Sequence, residues 1–444
     1  MPRFCRNCGG QNRVRLKFER ISLVLAWIAG LALLAAAANL HDPYLLAVRA
    51  VATPTVIGTG ALGLGVVALW RRGGMRWALF VLWGAVLACA LGGELRFAHE
   101  QQAVHTATAA EAETLGRHFI IGYSHIEAIE PLATRGLIGG IFITQKNVAG
   151  RSAEALHQEI ARLQQRRREA NLPPLIVAAD QEGGIVSRLS PPLTALPPLA
   201  TLAALDPSAR DQAVADYART QGSELASLGV TLNLAPVVDV RRAHGVNALD
   251  FHSLIARRAI SDDPAVVTAV ASTYSRALRA AGVTPTLKHF PGLGRISADT
   301  HHFGADLATS PAELERTDWL PFRQVLAEGS AFLMLGHVTL TAVDPEHPAS
   351  QSRRVAEGLL RGGWGYRGVL ITDDLTMEPI YHRGLCRAVV DGLNAGIDLL
   401  LLSYDDAQYY PAMACALDAL RQGRLDPAML ARSRDRLSAS APMS

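Results

Sequence analysis

The sequence predicts an α/β protein, in which a (β/α)8 TIM barrel is preceded by an N-terminal transmembrane helical module. Two observations in this chain of 444 residues predict it. The first hundred residues are far more apolar than the rest and contain three long apolar runs. From about residue 115 onward, eight short apolar runs alternate with amphipathic segments, as in a (β/α)8 barrel. We therefore expect a basic tail at 1–20, three transmembrane helices at 21–91, a connector at 92–114 and the barrel at 115–444.

The three apolar runs, at 21–40, 51–70 and 77–91, have the length and composition of membrane-spanning helices. Arginines and lysines are concentrated in the N-terminal tail and in the loop at 71–76, whereas the loop at 41–49 is nearly uncharged. The positive-inside rule places the tail in the cytoplasm and everything after the third run outside. We therefore expect a multi-pass protein of the inner or plasma membrane, with lipid around the helices and the barrel on the periplasmic or extracellular side. A cleaved signal peptide is the alternative for the first run, but the two further runs argue against it.

Charge and cysteine content exclude some classes of partner. The formal net charge of +3 gives no reason to expect a nucleic acid or another polyanion.

Cys5 and Cys8 form half of a zinc ribbon without a second pair, so we expect no bound metal there, and zinc shared between two chains is the alternative. Five cysteines suggest no disulfide framework, and we expect Cys386 and Cys415 to be buried thiols.

The barrel prediction depends on the order of the apolar runs. The runs that predict strands lie at 119–122, 139–144, 175–180, 232–239, 285–289, 332–337, 368–373 and 397–403. The amphipathic segments between them include 153–170, 208–228, 264–281, 311–326 and 407–421. A doubly wound open sheet is the alternative, but no glycine-rich dinucleotide fingerprint follows the first run.

Titratable residues stand where the predicted strands end. They are Asp180, Asp239, the pair Lys288 and His289, His337 and Asp373. Barrel enzymes place their active sites at the carboxyl ends of the strands. We therefore expect an active site at this end of the barrel.

The loop after the fifth predicted strand carries groups suited to proton transfer. Asp299 and His301 lie two residues apart, so the carboxylate can accept an imidazole N–H and leave the other nitrogen free. Asp373 ends a stiff strand and can supply the carboxylate that displacement at an anomeric carbon requires. This pattern favours a glycosidase. A metal site is less favoured because the histidines lack i, i+4 spacing, and a Schiff base on Lys288 stays open as an alternative.

Five motifs along the barrel resemble those of one enzyme family. They lie at 180–184 together with 188–189, at 235–240, at 258–264, at 288–301 and at 368–377. In order and spacing they are similar to glycoside hydrolase family 3, and specifically to its bacterial β-N-acetylhexosaminidases that act on peptidoglycan fragments. The resemblance covers roughly residues 115–440.

The resemblance implies a role for each matching residue. Asp373 would be the nucleophile, and His301, oriented by Asp299, would be the general acid and then the base. The residues implied to bind N-acetylglucosamine are Asp180, Arg188, Arg258, Lys288 and His289. The implied activity is that of a retaining exo-β-N-acetylglucosaminidase that removes terminal N-acetylglucosamine from cell-wall glycans without a metal or another cofactor.

Two departures from the family pattern keep other functions open. Leu293 stands where the family usually has a histidine between two glycines, and residues 259–261 read Ala-Ile-Ser in place of Ser-Phe-Gly. The alternatives are a β-glucosidase or a phosphorylase of the same family, or a non-catalytic glycan-binding membrane protein.

Other polar residues near the strand ends are expected to be structural. We expect Asp239 to be a rim carboxylate, Asp374 to start a helix or support its neighbours, and Glu182 to orient its loop. Two roles stay open for His337: contact with substrate, or a structural histidine at the barrel rim whose hydrogen bonds are satisfied within the protein.

Overall fold

A computed structural model describes residues 8–69, 75–242, 254–329 and 331–440, so Cys5 of the predicted cysteine pair lies outside the described residues. The chain forms two compact units, Met1–Gln102 and Ala103–Ser444. The first unit is helical and the second contains the barrel.

The described part of the first unit consists of helices. They are Cys8–Ala38, the short 3-10 helix Pro43–Leu45, Leu46–Leu69 and Met75–His105, the last of which continues into the second unit. Three helical stretches are long and apolar enough to cross a membrane: Ile21–Ala38, Pro43–Leu69 and Arg76–His105. The third helix continues well beyond the predicted run at 77–91, because Gly92 and Gly93 do not interrupt it.

These helices present apolar side chains on their outer faces. Ile21, Leu25 and Ile28 are each 59–60% exposed, and Val51 (71%) and Val81 (67%) are exposed on the other two helices. Between the helices, a Cβ at Gly63 would lie 2.2 Å from the ring of Trp83, so only glycine permits this approach. Small residues at the contacts and apolar residues outside are typical of helices that pack within lipid.

The second unit contains a closed barrel of eight parallel strands, as the sequence predicts. In chain order the strands are Phe119–Gly122, Gly140–Ile143, Ile176–Ala179, Leu232–Asn233, Thr284–Phe290, Phe332–Leu335, Leu370–Asp374 and Leu399–Leu402. Each strand pairs with its neighbours in sequence, and the first pairs with the eighth. The fourth strand is much shorter than the predicted run at 232–239, because after Asn233 only Val237 pairs with the fifth strand, opposite Lys288.

Two small accessory sheets lie outside the barrel. One pairs Gln181–Gly183 with Val186–Ser187, and the other pairs Ala305–Leu307 with Val338–Leu340. Both follow the carboxyl ends of barrel strands and therefore shape that mouth of the barrel.

Helices precede, connect and follow the strands. They are Ala109–Leu115, Ile126–Thr134, Gln145–Val148, Ala153–Glu169, Leu199–Ala203, Pro207–Leu228, Ile255–Arg258, Pro264–Ala280, Pro311–Leu314, Leu320–Ala327, Glu378–Ala395, Tyr409–Arg421 and Pro427–Ala439, with a π-helix at Arg354–Gly363 and 3-10 turns at Gly116–His118, Ala349–Gln351 and Asp406–Gln408. The predicted helix at 311–326 is two helices, and the other predicted helices agree within two residues.

Local sequence signals explain where several helices begin and end. Asp263 accepts a hydrogen bond from the backbone N–H of Ala265 (2.8 Å) and precedes a proline at the first helical position. Asp426 caps the final helix in the same way, through Ala428. Gly229 ends the helix Pro207–Leu228 with a φ of 89°, which a residue with a side chain rarely adopts.

Alternate residues of the strands point inward and fill the barrel. This inner cluster includes Ile120, Phe142, Leu232, Met334 and Ile371, while their neighbours in the strands pack outward against the helices. The inside is thus a packed core, as in other barrels of this type. The charged residues that the sequence analysis singled out as a site lie at the mouth, where the strands end.

The expectation for Cys386 and Cys415 is wrong, because the two residues form a disulfide with a Cα–Cα distance of 5.3 Å. Cys386 is exposed, and Cys415 is partly exposed. The sequence pattern did not pair them because they lie 29 residues apart on separate helices, which the eighth strand brings together.

We expect replacement of Cys386 by serine to lower the free energy of unfolding by about 3–4 kcal/mol, because the unfolded chain regains the entropy that closure of a loop of this length had removed. Chemical unfolding of the full chain in detergent measures this. The same protein under reducing conditions should lose no further stability, and a large additional loss would contradict the assignment.

Candidate active site

A buried cluster of charges occupies the barrel mouth between the third and fifth strands. Lys288 Nζ lies 2.7 Å from Asp180 Oδ1 and 2.6 Å from Glu182 Oε1. Arg258 donates to the same Glu182 carboxylate from Nη2 at 2.6 Å and from Nε at 3.0 Å. Two cations therefore share one carboxylate, and of the four side chains Asp180 is the most exposed, at 21%.

The charge on Glu182 depends on its two cations. Burial raises the pKa of Glu182, but Arg258 and Lys288 outweigh burial and bring it to about 2. The carboxylate is therefore ionised throughout the physiological range. Glu182 holds Arg258 and Lys288 in place, a role different from the expected one of orienting its own loop.

Asp239 is fully buried and organises the turn after the fifth strand. One carboxylate oxygen accepts a hydrogen bond from His289 Nδ1 at 2.8 Å, and the other accepts one from the backbone N–H of Leu293 at 2.7 Å. The backbone N–H of His289 also donates to this carboxylate, at 3.2 Å. These contacts agree with a structural carboxylate and fix Nε2 of His289 toward Arg258, 3.3 Å away.

We expect Asp239→Ala to destabilise the fold by about 3–5 kcal/mol, because three buried donors lose their acceptor. The activity kcat/KM should fall about 10²-fold as His289 loses its orientation. Asp239→Asn, which keeps one acceptor oxygen, should show about half of the stability loss. Unfolding and hydrolysis assays measure both effects, and wild-type stability in the alanine protein would contradict this role.

Asp373 lies in the seventh strand, and three imidazoles act on its carboxylate. Burial in the protein raises the pKa of Asp373. His289, His337 and His301, together with a hydrogen bond from the backbone N–H of Asp374, lower this pKa by more than burial raises it, so it lies below its usual value. The Asp374 N–H donates to Asp373 Oδ1 at 2.9 Å. The site therefore stabilises Asp373 as a carboxylate, the form that can attack an electrophilic carbon.

Asp374 and His337 are structural. Asp374 accepts hydrogen bonds from Thr376 through one oxygen and from the Ser403 hydroxyl and the Tyr404 N–H through the other. His337 donates from Nε2 to the Asp374 carbonyl (3.0 Å), and its Nδ1 lies 2.8 Å from Ser350 Oγ. Burial lowers the pKa of His337, and these two contacts occupy both ring nitrogens. His337 is thus a satisfied rim histidine.

His301 and Asp299 meet in the turn that follows the fifth strand. His301 Nδ1 lies 3.3 Å from Asp299 Oδ1, and the backbone N–H of His301 donates to the same oxygen at 3.0 Å. Asp299 is fully buried, whereas the His301 side chain is 39% exposed. Burial lowers the pKa of His301, against the raising effects of Asp373 and Asp299. The pKa of His301 is therefore below its usual value, so the imidazole gains and loses its proton on the acid side of neutral, and it lies close enough to Asp373 for the two groups to interact electrostatically.

The structure brings seven of the eight predicted site residues into two linked groups. The first holds Asp180, Lys288, Arg258 and His289, and the second holds Asp373, His301 and Asp299. Arg188 is exposed, and no described residue forms a hydrogen bond with its guanidinium; its backbone N–H donates to the Asp180 carbonyl at 3.2 Å.

Sequence reasoning gave too little weight to two features. It did not predict that Glu182 would hold both cations, because Arg258 lies on a helix and Lys288 on a strand, 76 and 106 residues away in sequence. It also treated Leu293 as a change within the site, but this side chain is buried in the outer core, 3% exposed. The missing loop histidine is therefore replaced by a packing residue.

The chain was compared with known proteins. Residues 118–439 match the glycosyl hydrolase family 3 N-terminal domain. A β-hexosaminidase of Xylella fastidiosa (strain 9a5c) is 38% identical over 276 residues, which are 61% of this chain and 77% of that protein.

Solved structures give the same result. The glycoside hydrolase family 3 β-N-acetylglucosaminidase of Paenibacillus sp. str. FPU-7 is 32% identical with a TM-score of 0.67, covering 75% of this chain and 62% of that one. A family 3 glycosyl hydrolase of Mycobacterium smegmatis is 31% identical with a TM-score of 0.65, covering 76% and 98%. The family and enzyme class predicted from the motifs are confirmed: the chain belongs to glycoside hydrolase family 3.

Proposed function

We propose that this glycoside hydrolase is a membrane-anchored, retaining exo-β-N-acetylglucosaminidase, with Asp373 as nucleophile and His301 as acid and base. One observation carries the proposal: the Asp373 carboxylate, whose pKa is lowered by His289, His337 and His301, lies within electrostatic range of His301, and Asp299 holds that imidazole at 3.3 Å. His301 belongs to both sets, so the two reacting groups act on each other. Double displacement at an anomeric carbon requires such a pair.

The chemistry follows two balanced steps. Asp373 attacks C1 of the sugar while His301 donates a proton to the departing glycosidic oxygen, which leaves as an alcohol. Water then attacks C1, His301 accepts its proton, and Asp373 is released as a carboxylate. Asp299 keeps one His301 nitrogen occupied throughout, so that only the other nitrogen exchanges protons.

The charge cluster supports a polar, hydroxyl-rich substrate. We assign binding of the terminal N-acetylglucosamine to Asp180, Lys288, His289, Arg188 and Arg258. Asp180 is the accessible carboxylate, and Lys288 holds it. Arg258 acts through Glu182 and His289, since both contact its guanidinium. The β-hexosaminidase and β-N-acetylglucosaminidase names of the relatives support the choice of sugar.

Hydrolysis of 4-nitrophenyl β-N-acetylglucosaminide by the full chain in detergent tests this function. The first sugar released should be the β-anomer, seen by proton NMR before mutarotation, because two inversions retain configuration. Adding inorganic phosphate should change neither rate nor product. A glycosyl phosphate would identify a phosphorylase instead, and binding of the sugar without turnover would identify a glycan-binding protein.

We further propose that the barrel lies outside the cytoplasmic membrane and acts on cell-wall glycans. Three apolar helices and the distribution of arginine and lysine support this orientation. The Cys386–Cys415 disulfide adds support, because disulfides persist in oxidising compartments and are rare in the cytosol.

A reporter fused after Ser444 tests the orientation. We expect alkaline phosphatase, which needs an oxidising compartment, to be active in this fusion, and a cytoplasm-dependent fluorescent protein to stay dark. A matched fusion after residue 72, in the predicted cytoplasmic loop, should give the opposite result. Cytoplasmic signal from the Ser444 fusion would overturn the proposed sidedness.

A further inference from the structure

The turn that carries His301 contains a second imidazole directly after it. The backbone carbonyl of Asp299 accepts hydrogen bonds from the N–H groups of His302 (3.1 Å) and Phe303 (2.9 Å). The turn therefore wraps around the buried Asp299 side chain, with His301 and His302 on either side of the carboxylate.

Four titratable side chains follow one another through this turn at distances of 3.3–4.0 Å. Asp299 Oδ1 lies 3.3 Å from His301 Nδ1, and Asp299 Oδ2 lies 4.0 Å from His302 Nε2. The other nitrogen of His302, Nδ1, lies 3.3 Å from Glu378 Oε2. The row therefore runs Glu378, His302, Asp299, His301, with each imidazole flanked by a carboxylate.

Glu378 is also attached to the turn through its backbone. Its N–H donates to the His301 carbonyl at 3.1 Å. Glu378 is the first residue of the helix Glu378–Ala395, five positions after Asp373. Two contacts at this residue thus connect the turn carrying the acid/base to the segment that continues from the nucleophile strand.

We propose that Glu378 is a positioning residue that acts through His302 to hold His301 over the leaving-group oxygen. This inference rests on the proposed function, because it requires His301 to be the proton donor. The Glu378 carboxylate holds the His302 ring in place. The His302 ring in turn lies against the Asp299 oxygen that faces away from His301. Asp299 can then direct one oxygen to His301. A shift of the turn by about 1 Å would misplace the proton donor relative to a nucleophile that does not move.

The leaving group distinguishes this role from a general loss of folding. An aryl glycoside with a very acidic leaving group, 2,4-dinitrophenyl β-N-acetylglucosaminide, departs without protonation, whereas chitobiose requires a proton. We expect Glu378→Ala to lower kcat/KM for chitobiose about 10–100-fold and to leave kcat/KM for the dinitrophenyl substrate within about threefold of wild type. The backbone bond to His301 survives in this variant, so the difference reports the carboxylate.

Three further variants complete the experiment. Glu378→Gln, which keeps an acceptor for His302, should recover most of the chitobiose activity. His302→Ala should reproduce the Glu378→Ala result, and the double variant should be no worse than either single one, because both break the same row. Glu346→Ala, at an exposed glutamate of the loop after the sixth strand, should match wild type on both substrates.

The outcomes separate this inference from the proposed function. If Glu378→Ala loses kcat/KM equally on both substrates, or loses it on neither, the positioning role is overturned. The proposed function would still be supported in that case by turnover in the wild type and its absence in Asp373→Asn. Failure of wild type to hydrolyse either substrate, or full activity of Asp373→Asn, would overturn the proposed function and this inference with it.

Discussion

The Asp373→Asn protein is expected to lose about 10⁴-fold or more of its kcat/KM toward an aryl β-N-acetylglucosaminide, the size of loss seen when a bond-forming group is removed. Asparagine keeps the shape of the side chain and an oxygen for the Asp374 N–H, but it cannot form the glycosyl ester. Steady-state hydrolysis by the full chain in detergent measures the loss. Thermal unfolding beside it shows that the protein is folded.

The neighbouring carboxylate is a matched control. Asp374 accepts hydrogen bonds from the backbone and hydroxyl groups of Thr376 and Ser403, so Asp374→Asn should cost stability, about 1–3 kcal/mol, with a much smaller loss of activity. The two adjacent substitutions should thus have opposite profiles. Comparable activity losses in both would indicate that the strand end, and not one carboxylate, is required.

A trapped intermediate makes the role of Asp373 specific. A 5-fluoro glycosyl fluoride of N-acetylglucosamine slows both chemical steps but keeps a good leaving group for the first. Mass spectrometry of the digested protein should find the sugar on the peptide that contains Asp373. A label on another carboxylate, such as Asp180, would reassign the nucleophile.

The barrel could be predicted from the sequence because each strand satisfies a local rule. Short apolar runs that alternate with amphipathic segments leave few other topologies, and the first run, Phe119–Gly122, agrees to the residue. The length of the fourth strand was overestimated, because most of the run 232–239 is apolar in order to fill the core and does not belong to the strand. Leu234 fills the barrel interior, whereas Val238 packs on the outside, beyond the paired residues.

The composition of the site could be predicted, but its pairings could not. Lys288, His289 and Asp373 stand at strand ends, which local sequence identifies. Which carboxylate each cation meets is decided by elements distant in sequence, so the pairing of Glu182 with Lys288 and that of Glu378 with His302 were recognised only from contacts. The disulfide was missed for the same reason, because cysteine spacing says nothing about which helices become neighbours.

The pH dependence of the enzyme should identify His301 as the proton donor. The profile of kcat/KM reports the free enzyme, which must hold an ionised Asp373 and a protonated His301. The pKa of Asp373 lies below its ordinary value of 3.8 and that of His301 below 6.5. Activity on chitobiose should therefore be highest on the acid side of neutral, fall as the pH rises through the His301 pKa, and stay high down to the Asp373 pKa.

Removal of the imidazole should abolish the basic limb of that profile. We expect His301→Ala to lower kcat/KM for chitobiose about 10²–10⁴-fold, with the residual rate independent of pH between about 5 and 8. Azide should restore turnover on the dinitrophenyl substrate, because a small anionic nucleophile replaces the water that His301 would have deprotonated. The product would be the β-glycosyl azide, formed from the intermediate on Asp373. A basic limb that persists in His301→Ala would assign proton donation to another group, and His302, which flanks the same Asp299 carboxylate, would be substituted next.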